Sequence, residues 1–319
     1  MHLYLPFTIL LFAVAALACD HDGHHHHHNH LRHGEDDALS EKDRRLQAEA
    51  ACLNDPGPPF KAAGGSIWPC EAAFQQAGAR CRSRTPTAKE IEKDNQRMNE
   101  WKANKGKNGV GGNRELQQTV VNVAFHVVHD GATGELTTKE IEDSMAMLNE
   151  GFNGTGFSFN LMVTTFTDNA EWFDAGIDSA AERAMKTALR QGNQADLNVY
   201  STSGGGYLGW ATFPSWVEDN LIDDGVVIAY GSVPCDYPIP ADGCLGAYTE
   251  GDTLTHEVGH WMGLYHTFQG GCSGGDQVDD TPPQRSPTSG CPVSNPPDTC
   301  KRDEGLDVSC LYYVLFWWH

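Results

Sequence analysis

Eleven residues, HEVGHWMGLYH from His256 to His266, constrain this chain more tightly than any other stretch of it. His256 and His260 stand four apart, so on a helix their imidazoles share one face about a turn from each other. Glu257 lies beside them, where its carboxylate can reach a metal-borne water without itself being a ligand. The helix must stop soon afterwards, and Gly263 supplies a residue that tolerates the left-handed turn this requires. The reversed chain can then present His266 as a third ligand. Asp252 or Thr253 is expected to cap the helix start. The bland alternative is a buried amphipathic helix whose histidines are merely hydrogen-bonded. It leaves Gly263 and His266 without a task, whereas in the metal reading every fixed position has one.

Three neutral imidazoles leave a divalent cation its full charge and an open fourth position, the arrangement of a catalytic rather than a structural site. Such an ion lowers the pKa of water and polarises a carbonyl. Glu257 would take the water's proton and deliver it to a departing amine. The chemistry implied is peptide-bond hydrolysis without a covalent intermediate.

The surrounding chain sets the context. Residues 1–18, MHLYLPFTILLFAVAALA, read as a secretory signal, with an apolar run and an Ala16-x-Ala18 cleavage pattern. The run is shorter than the about 20 residues a membrane span needs. Ten cysteines and no CxxC pair then point to disulfides in an oxidising compartment. Asn153-Gly154-Thr155 is a glycosylation sequon, which implies a surface position if it is used. A formal charge of −21, from 22 Lys and Arg against 43 Asp and Glu, argues against nucleic acid or an anionic membrane as partner.

Residues 19–112 are predominantly polar. HDGHHHHHNHLRH (21–33) holds eight of the fifteen histidines and reads as a tag remnant, a solvated tract or a metal-scavenging arm. KANKGKNGVGGNRE (102–115) reads as a linker. The segment between signal and linker suggests a removable pro-segment, or alternatively a small disulfide module. From 113 onward the pattern is α/β. Strands are expected over 119–130, 157–166, 196–202 and 225–231, and helices over 137–152 and roughly 179–191. Thr137-x-x-Glu140 forms a capping box ahead of the first helix. Gly-rich GGGYLGWATFP turns the chain between the last two strands. His126 and His129 are expected to be hydrogen-bonded sheet residues rather than ligands.

HEVGHWMGLYH matches the metzincin signature HExxHxxGxxH. Together with EGDTLTHEVGHWMGLYHTFQGGC, DQVDDTPPQ and LGWATFP, it makes residues 119–307 resemble the pappalysin branch, in particular its secreted fungal and bacterial proteases. The resemblance implies an α/β (α+β) catalytic domain over 113–319. Its parts would be a twisted, mixed and mostly parallel five-stranded sheet, a backing helix over 137–152, the zinc helix, and a smaller irregular C-terminal subdomain. By the same resemblance zinc falls on His256, His260 and His266 and the general base on Glu257, with proteins or peptides as substrates. Asp276, Asp279 and Asp280 could hold calcium as such loops do in this family, and a solvated acidic loop fits them as well.

Cysteines bear on the likeness. CDYPIPADGC (235–244) resembles an insertion, and its ends are expected to pair in a secreted protein. Cys272, with Cys291 and Cys300, resembles the family's disulfide-tied lower loop, and Cys272–Cys300 is the first choice of pairing. ARCRSRTPTAKE (79–90) resembles the pro-segment cysteine whose thiolate occupies the fourth position on zinc, which makes Cys81 a candidate latency ligand. The alternative pairs Cys81 with Cys52 or Cys70. The seven methionines (1, 98, 145, 147, 162, 185 and 262) all precede His266, and residues 308–319 leave the family pattern, so the family's methionine turn under the metal is expected to be missing. The leading expectation is a secreted zinc endopeptidase made as a latent precursor. The alternative is a truncated, weak or inactive homologue that acts as a secreted binding or metal-sequestering protein.

Overall fold

Valines and a phenylalanine at every second position from Val121 to Val127 give the chain a long interior strand, against which two helices are laid. In the computed structural model the described residues are 50, 52–53, 59–62, 67–76, 80–107, 118–218, 220–235, 244–273, 275–278, 281–287 and 298–300. The signal-like 1–18, the histidine tract and residues 301–319 lie outside them. In chain order the elements are β1 (Phe60–Lys61), β2 (Ile67–Trp68), α1 (Glu71–Gln76), α2 (Ala88–Lys107), β3 (Thr119–His129), α3 (Thr138–Gly151) and β4 (Phe157–Asp168). There follow α4 (Ala170–Phe173), α5 (Ala180–Leu189), β5 (Leu197–Thr202), β6 (Gly209–Ala211), α6 (Pro214–Val217), β7 (Val226–Ala229) and α7 (Asp252–Trp261). No helix among the described residues is long and apolar enough to cross a membrane.

The five-stranded sheet has the order β4-β3-β5-β7-β6, parallel throughout except for β6, which runs antiparallel to β7 at one edge. Both faces are covered, which is why β5 and β7 are buried at every residue. On one face Val121, Val123, Phe125 and Val127 of β3 pack with Ile141, Met145 and Leu148 of α3 and with Leu254, Val258 and Trp261 of α7. On the other, Val128, Tyr200, Trp210 and Val227 pack with Phe173 and with Met185 of α5. The period of two therefore sorts each strand between two helix layers. Thr137 caps α3 as expected: its hydroxyl accepts from the Glu140 N–H, and the Glu140 carboxylate accepts from the Thr137 N–H at 2.7 Å. His126 is held between Thr165 Oγ1 (2.8 Å) and Asn198 Oδ1 (3.0 Å), and His129 donates to the Gly131 carbonyl, so neither is drawn to the metal-binding signature.

Three expectations are corrected. The glycine-rich stretch 204–214 is more than a turn, because it contains the edge strand β6. The linker expected from Lys102 begins later, because α2 continues to Lys107 despite Asn104 and Gly106, which are poor helix formers. The polar N-terminal region also carries an apolar anchor. Phe74 and Ala62 are buried with Leu208, Ala229, Leu245 and Tyr248, and Phe60 and Trp68 pack against the same cluster.

Two disulfides fall where they were expected, Cys235–Cys244 and Cys272–Cys300. Cys52 pairs with Cys70 and leaves Cys81 as a free thiol. Cys19, Cys291 and Cys310 lie outside the described residues. Asn153 is exposed, as a usable sequon must be.

Candidate metal centre

Helix α7 is entered through Gly251 at φ 85°, where a Cβ would come within 2.8 Å of Pro234 Cγ. No side chain caps it, which corrects the role expected of Asp252 or Thr253. Asp252 is instead the first helical residue. Burial, with Glu250 and Glu150 nearby, raises its carboxyl to about 7. The helix ends in a six-to-one turn: the Leu264 N–H donates to Gly259 O (3.0 Å) and the Gly263 N–H to His260 O (2.8 Å), with Gly263 at φ 97°. That reversal brings His266 back over the helix.

The result is a tight cluster of nitrogens. His260 Nε2 lies 3.1 Å from His256 Nε2 and 3.1 Å from His266 Nε2. Two zinc–nitrogen bonds at a tetrahedral angle place their nitrogens about 3.3 Å apart, so this spacing suits one ion. Cys81 contributes a fourth donor, and the four ligand atoms all lie within 4.8 Å of one another. His260 Nδ1 is 2.6 Å from Leu264 O; a carbonyl can only accept, so Nδ1 carries the proton and Nε2 keeps its lone pair. Burial lowers His260 to about 4, and burial with the neighbouring His260, His256 and Arg80 lowers His266 well below the usual imidazole range. These two rings are therefore neutral, as a metal ligand must be. Phe268 stacks on the His266 ring at 4.8 Å and Phe213 tilts against His260 at 5.3 Å, which fixes both planes.

Glu257 is fully buried behind the histidines. Its Oε2 accepts from Ser83 Oγ at 2.9 Å and from the Cys81 thiol at 3.7 Å, while Oε1 has no partner among the described residues. Burial raises this carboxyl to about 8, against the opposing pull of the Ser83 and Cys81 hydrogen bonds. Burial and the adjacent Glu257 likewise push the Cys81 thiol up. A divalent cation would reverse that tendency, since a coordinating thiol is deprotonated outright. The donor set, the neutral imidazoles and the unpartnered carboxylate oxygen all fit a zinc-like ion.

The N-terminal segment reaches the centre along edge strand β6. Cys81 bridges Gly209 in parallel register, and the Arg82 N–H donates to Gly209 O at 2.9 Å. Gly209 has a steric duty: a Cβ there would fall 2.8 Å from Glu257 Cγ and 2.8 Å from Val227 O. A pocket beside the centre is lined by Arg80, Cys81, Leu208, Tyr248, Thr253, His256 and Glu257. Further along, α2 lies against α6. Lys93 pairs with Glu218 at 3.0 Å, Tyr265 donates to Asp94 at 2.9 Å, and Arg84 covers the Trp216 ring at 4.1 Å.

Every residue expected at the site, His256, Glu257, His260, His266 and Cys81, comes to this one place. The calcium expectation gains nothing: Asp276 Oδ1 accepts from the Val278 N–H at 3.0 Å, and Asp279 and Asp280 lie outside the described residues. Sequence reasoning missed three contributors. Gly209 was visible only as one glycine of the glycine-rich GGGYLGWATFP stretch. Asp224 sits under α7, where it accepts from Trp261 Nε1 at 2.9 Å and pairs with Arg190 at 3.2 Å. Ser83 meets Glu257 across 174 positions, a contact with no local signal.

Comparison with known proteins agrees with this geometry. Residues 246–305 match the peptidase M43 family, described as pregnancy-associated plasma protein-A. An extracellular metalloprotease of Colletotrichum graminicola is 44% identical over 191 residues, covering 57% of this chain and 64% of that protein. Two from Verticillium alfalfae are 43% and 39% identical, over 68% and 72% of their lengths and 61% and 64% of this chain. The chain thus spans just under two thirds of the Colletotrichum relative and somewhat more of the Verticillium ones. A mutant of Tannerella forsythia promirolysin shares the fold, with a TM-score of 0.51 at 21% identity over 71% of this chain and 84% of that one. A signature-bearing helix, a mixed sheet with one antiparallel edge, and relatives at this level of identity lead to one assignment: the chain belongs to the peptidase M43, or pappalysin, family.

Proposed function

We propose that this is a secreted zinc endopeptidase produced as a latent precursor. In this reading residues 1–18 are a signal, 19–112 a pro-segment with its linker, and 113–319 the catalytic domain. Extracellular action is inferred from relatives that carry that description. The observation that carries the proposal is the meeting of three Nε2 atoms, that of His260 3.1 Å from each of the other two, beside a buried carboxylate. His256, His260 and His266 would hold zinc, which supplies Lewis acidity toward water and toward a peptide carbonyl. Glu257 takes the proton of the attacking water and returns it to the leaving amine, a role suited to a buried carboxylate beside the three imidazoles. The occluding group in the precursor is the Cys81 thiolate, a strong zinc ligand that would displace that water.

The test uses the full chain. Cys81→Ala should cleave casein without processing, lose that activity to a chelator and regain it with zinc. Adding Glu257→Gln should keep the zinc and lower turnover by about 100- to 10,000-fold, the span of general acid–base catalysis. Cleavage that survives chelation, or turnover retained by Glu257→Gln, overturns the proposal.

A further inference from the structure

We infer that the precursor has a second inhibitory contact, separate from the thiol: the Ser83 hydroxyl occupies Glu257. The inference rests on the reading of Glu257 as general base and Cys81 as latency ligand. Ser83 Oγ accepts a hydrogen bond from the Ala211 N–H at 2.8 Å, so its own hydrogen is free to be donated elsewhere. The acceptor it meets is Glu257 Oε2, at 2.9 Å. The backbone N–H of the same residue points at Cys81 Sγ from 3.4 Å. One residue thus steadies the sulfur through its main chain and ties up one carboxylate oxygen, Glu257 Oε2, through its side chain. Its hydroxyl presents Glu257 with the group that an attacking water would present, an O–H at hydrogen-bond distance, but one fixed to the edge of the sheet.

The geometry keeps the two contacts separable. The segment is already held to β6 by the Arg82–Gly209 bond and to the domain surface by the aromatic anchor around Phe74 and Tyr248. Losing the Ser83 hydroxyl should therefore release the carboxylate without releasing the sulfur. Inhibition in the precursor is then shared: the thiolate denies water its place, and the serine occupies the carboxylate oxygen that would accept the water's proton.

The experiment compares full-length Cys81→Ala with the double variant Ser83→Ala/Cys81→Ala, and adds Ser83→Ala and wild type loaded with cobalt. The double variant should cleave casein about 10- to 100-fold faster than Cys81→Ala, the range a hydrogen bond to a charged group supports. It should bind acetohydroxamate more tightly by a similar factor, a readout independent of turnover. Ser83→Thr in the Cys81→Ala background keeps a hydroxyl and should behave as Cys81→Ala does, with melting temperatures confirming that all variants fold. Cobalt-loaded Ser83→Ala should retain the sulfur-to-metal charge-transfer band of the wild type. Equal rates and equal hydroxamate affinities in the two backgrounds overturn the inference, as does loss of the band in Ser83→Ala, which would make Ser83 only an anchor. A wild-type precursor without the band removes the thiolate reading instead, and the comparison made without the thiol still decides the role of Ser83.

Discussion

Gly209→Ala isolates the part of the site that does not touch the metal. The added Cβ would stand 2.8 Å from Glu257 Cγ, 3.1 Å from its Oε1 and 2.8 Å from the Val227 carbonyl. Carbon atoms in packed interiors settle at about 3.5–4.0 Å, so the shortfall against Glu257 Cγ is roughly an ångström, and the Val227 carbonyl oxygen also stands too close. Val227 cannot yield easily, because it belongs to β7, which is paired with β5 and β6. Glu257 has no exposed surface to swing into. Either β6 withdraws or the carboxylate is displaced. Overpacking of this kind costs about 1–3 kcal/mol of stability. A misplacement of about 1 Å in a reacting group costs on the order of 100-fold in rate. None of the three histidines is among the nearest atoms to that Cβ, so zinc binding should be untouched. In the Cys81→Ala background the variant should therefore show full zinc content, a lowered melting temperature and casein turnover reduced about 100-fold. Unchanged turnover would refute the claim that Gly209 sets the position of Glu257.

Two other substitutions follow from the same geometry. Gly263→Ala meets only Pro214 at ordinary contact distance, yet it forces a side chain onto φ 97°. It should cost about 1–2 kcal/mol and weaken zinc binding by about tenfold as His266 shifts, measured by competition with a chelator. Asp252→Asn tests the helix entry through pH. The folded carboxyl, raised to about 7, keeps a proton that the unfolded chain gives up near 3.9, so the wild type loses stability as pH climbs between those values. Asparagine does not ionise. The variant should be more stable than wild type at pH 8, by about 1–2 kcal/mol once partial exposure and the favourable helix N-terminus are discounted, with no difference below pH 4. A variant less stable than wild type at pH 8, in melts across the range, would contradict the assigned environment.

What could be read from the sequence was whatever is encoded locally. The β-branched run in Thr119–His129, the Thr137–Glu140 box and the glycine that reverses the chain before His266 are each set by neighbours a few residues apart, and each appears where expected. The metal cluster was legible for the same reason, since helix period and one turn bring His256, His260 and His266 together. What escaped depends on distant partners. β6 is only three residues long and becomes a strand because β7 offers it an edge. The polar sequence of α2 gave no sign that its Lys93 and Asp94 would be held by Ser215, Glu218 and Tyr265. Asp252 satisfies a capping rule on paper, yet Gly251 takes the cap and leaves the carboxyl inside. Cys81 illustrates both sides: its candidacy was visible, while its freedom from disulfide pairing required Cys52 and Cys70 to find each other.

The most direct measurement is zinc stoichiometry with X-ray absorption on the full-length chain lacking residues 21–33, so that the histidine tract cannot contribute. One zinc per molecule, with three nitrogen neighbours at about 2.0–2.1 Å and one sulfur at about 2.3 Å, is the predicted result. Metal content that falls to zero with the tract removed would contradict the account, because the imidazoles of α7 would then hold no ion.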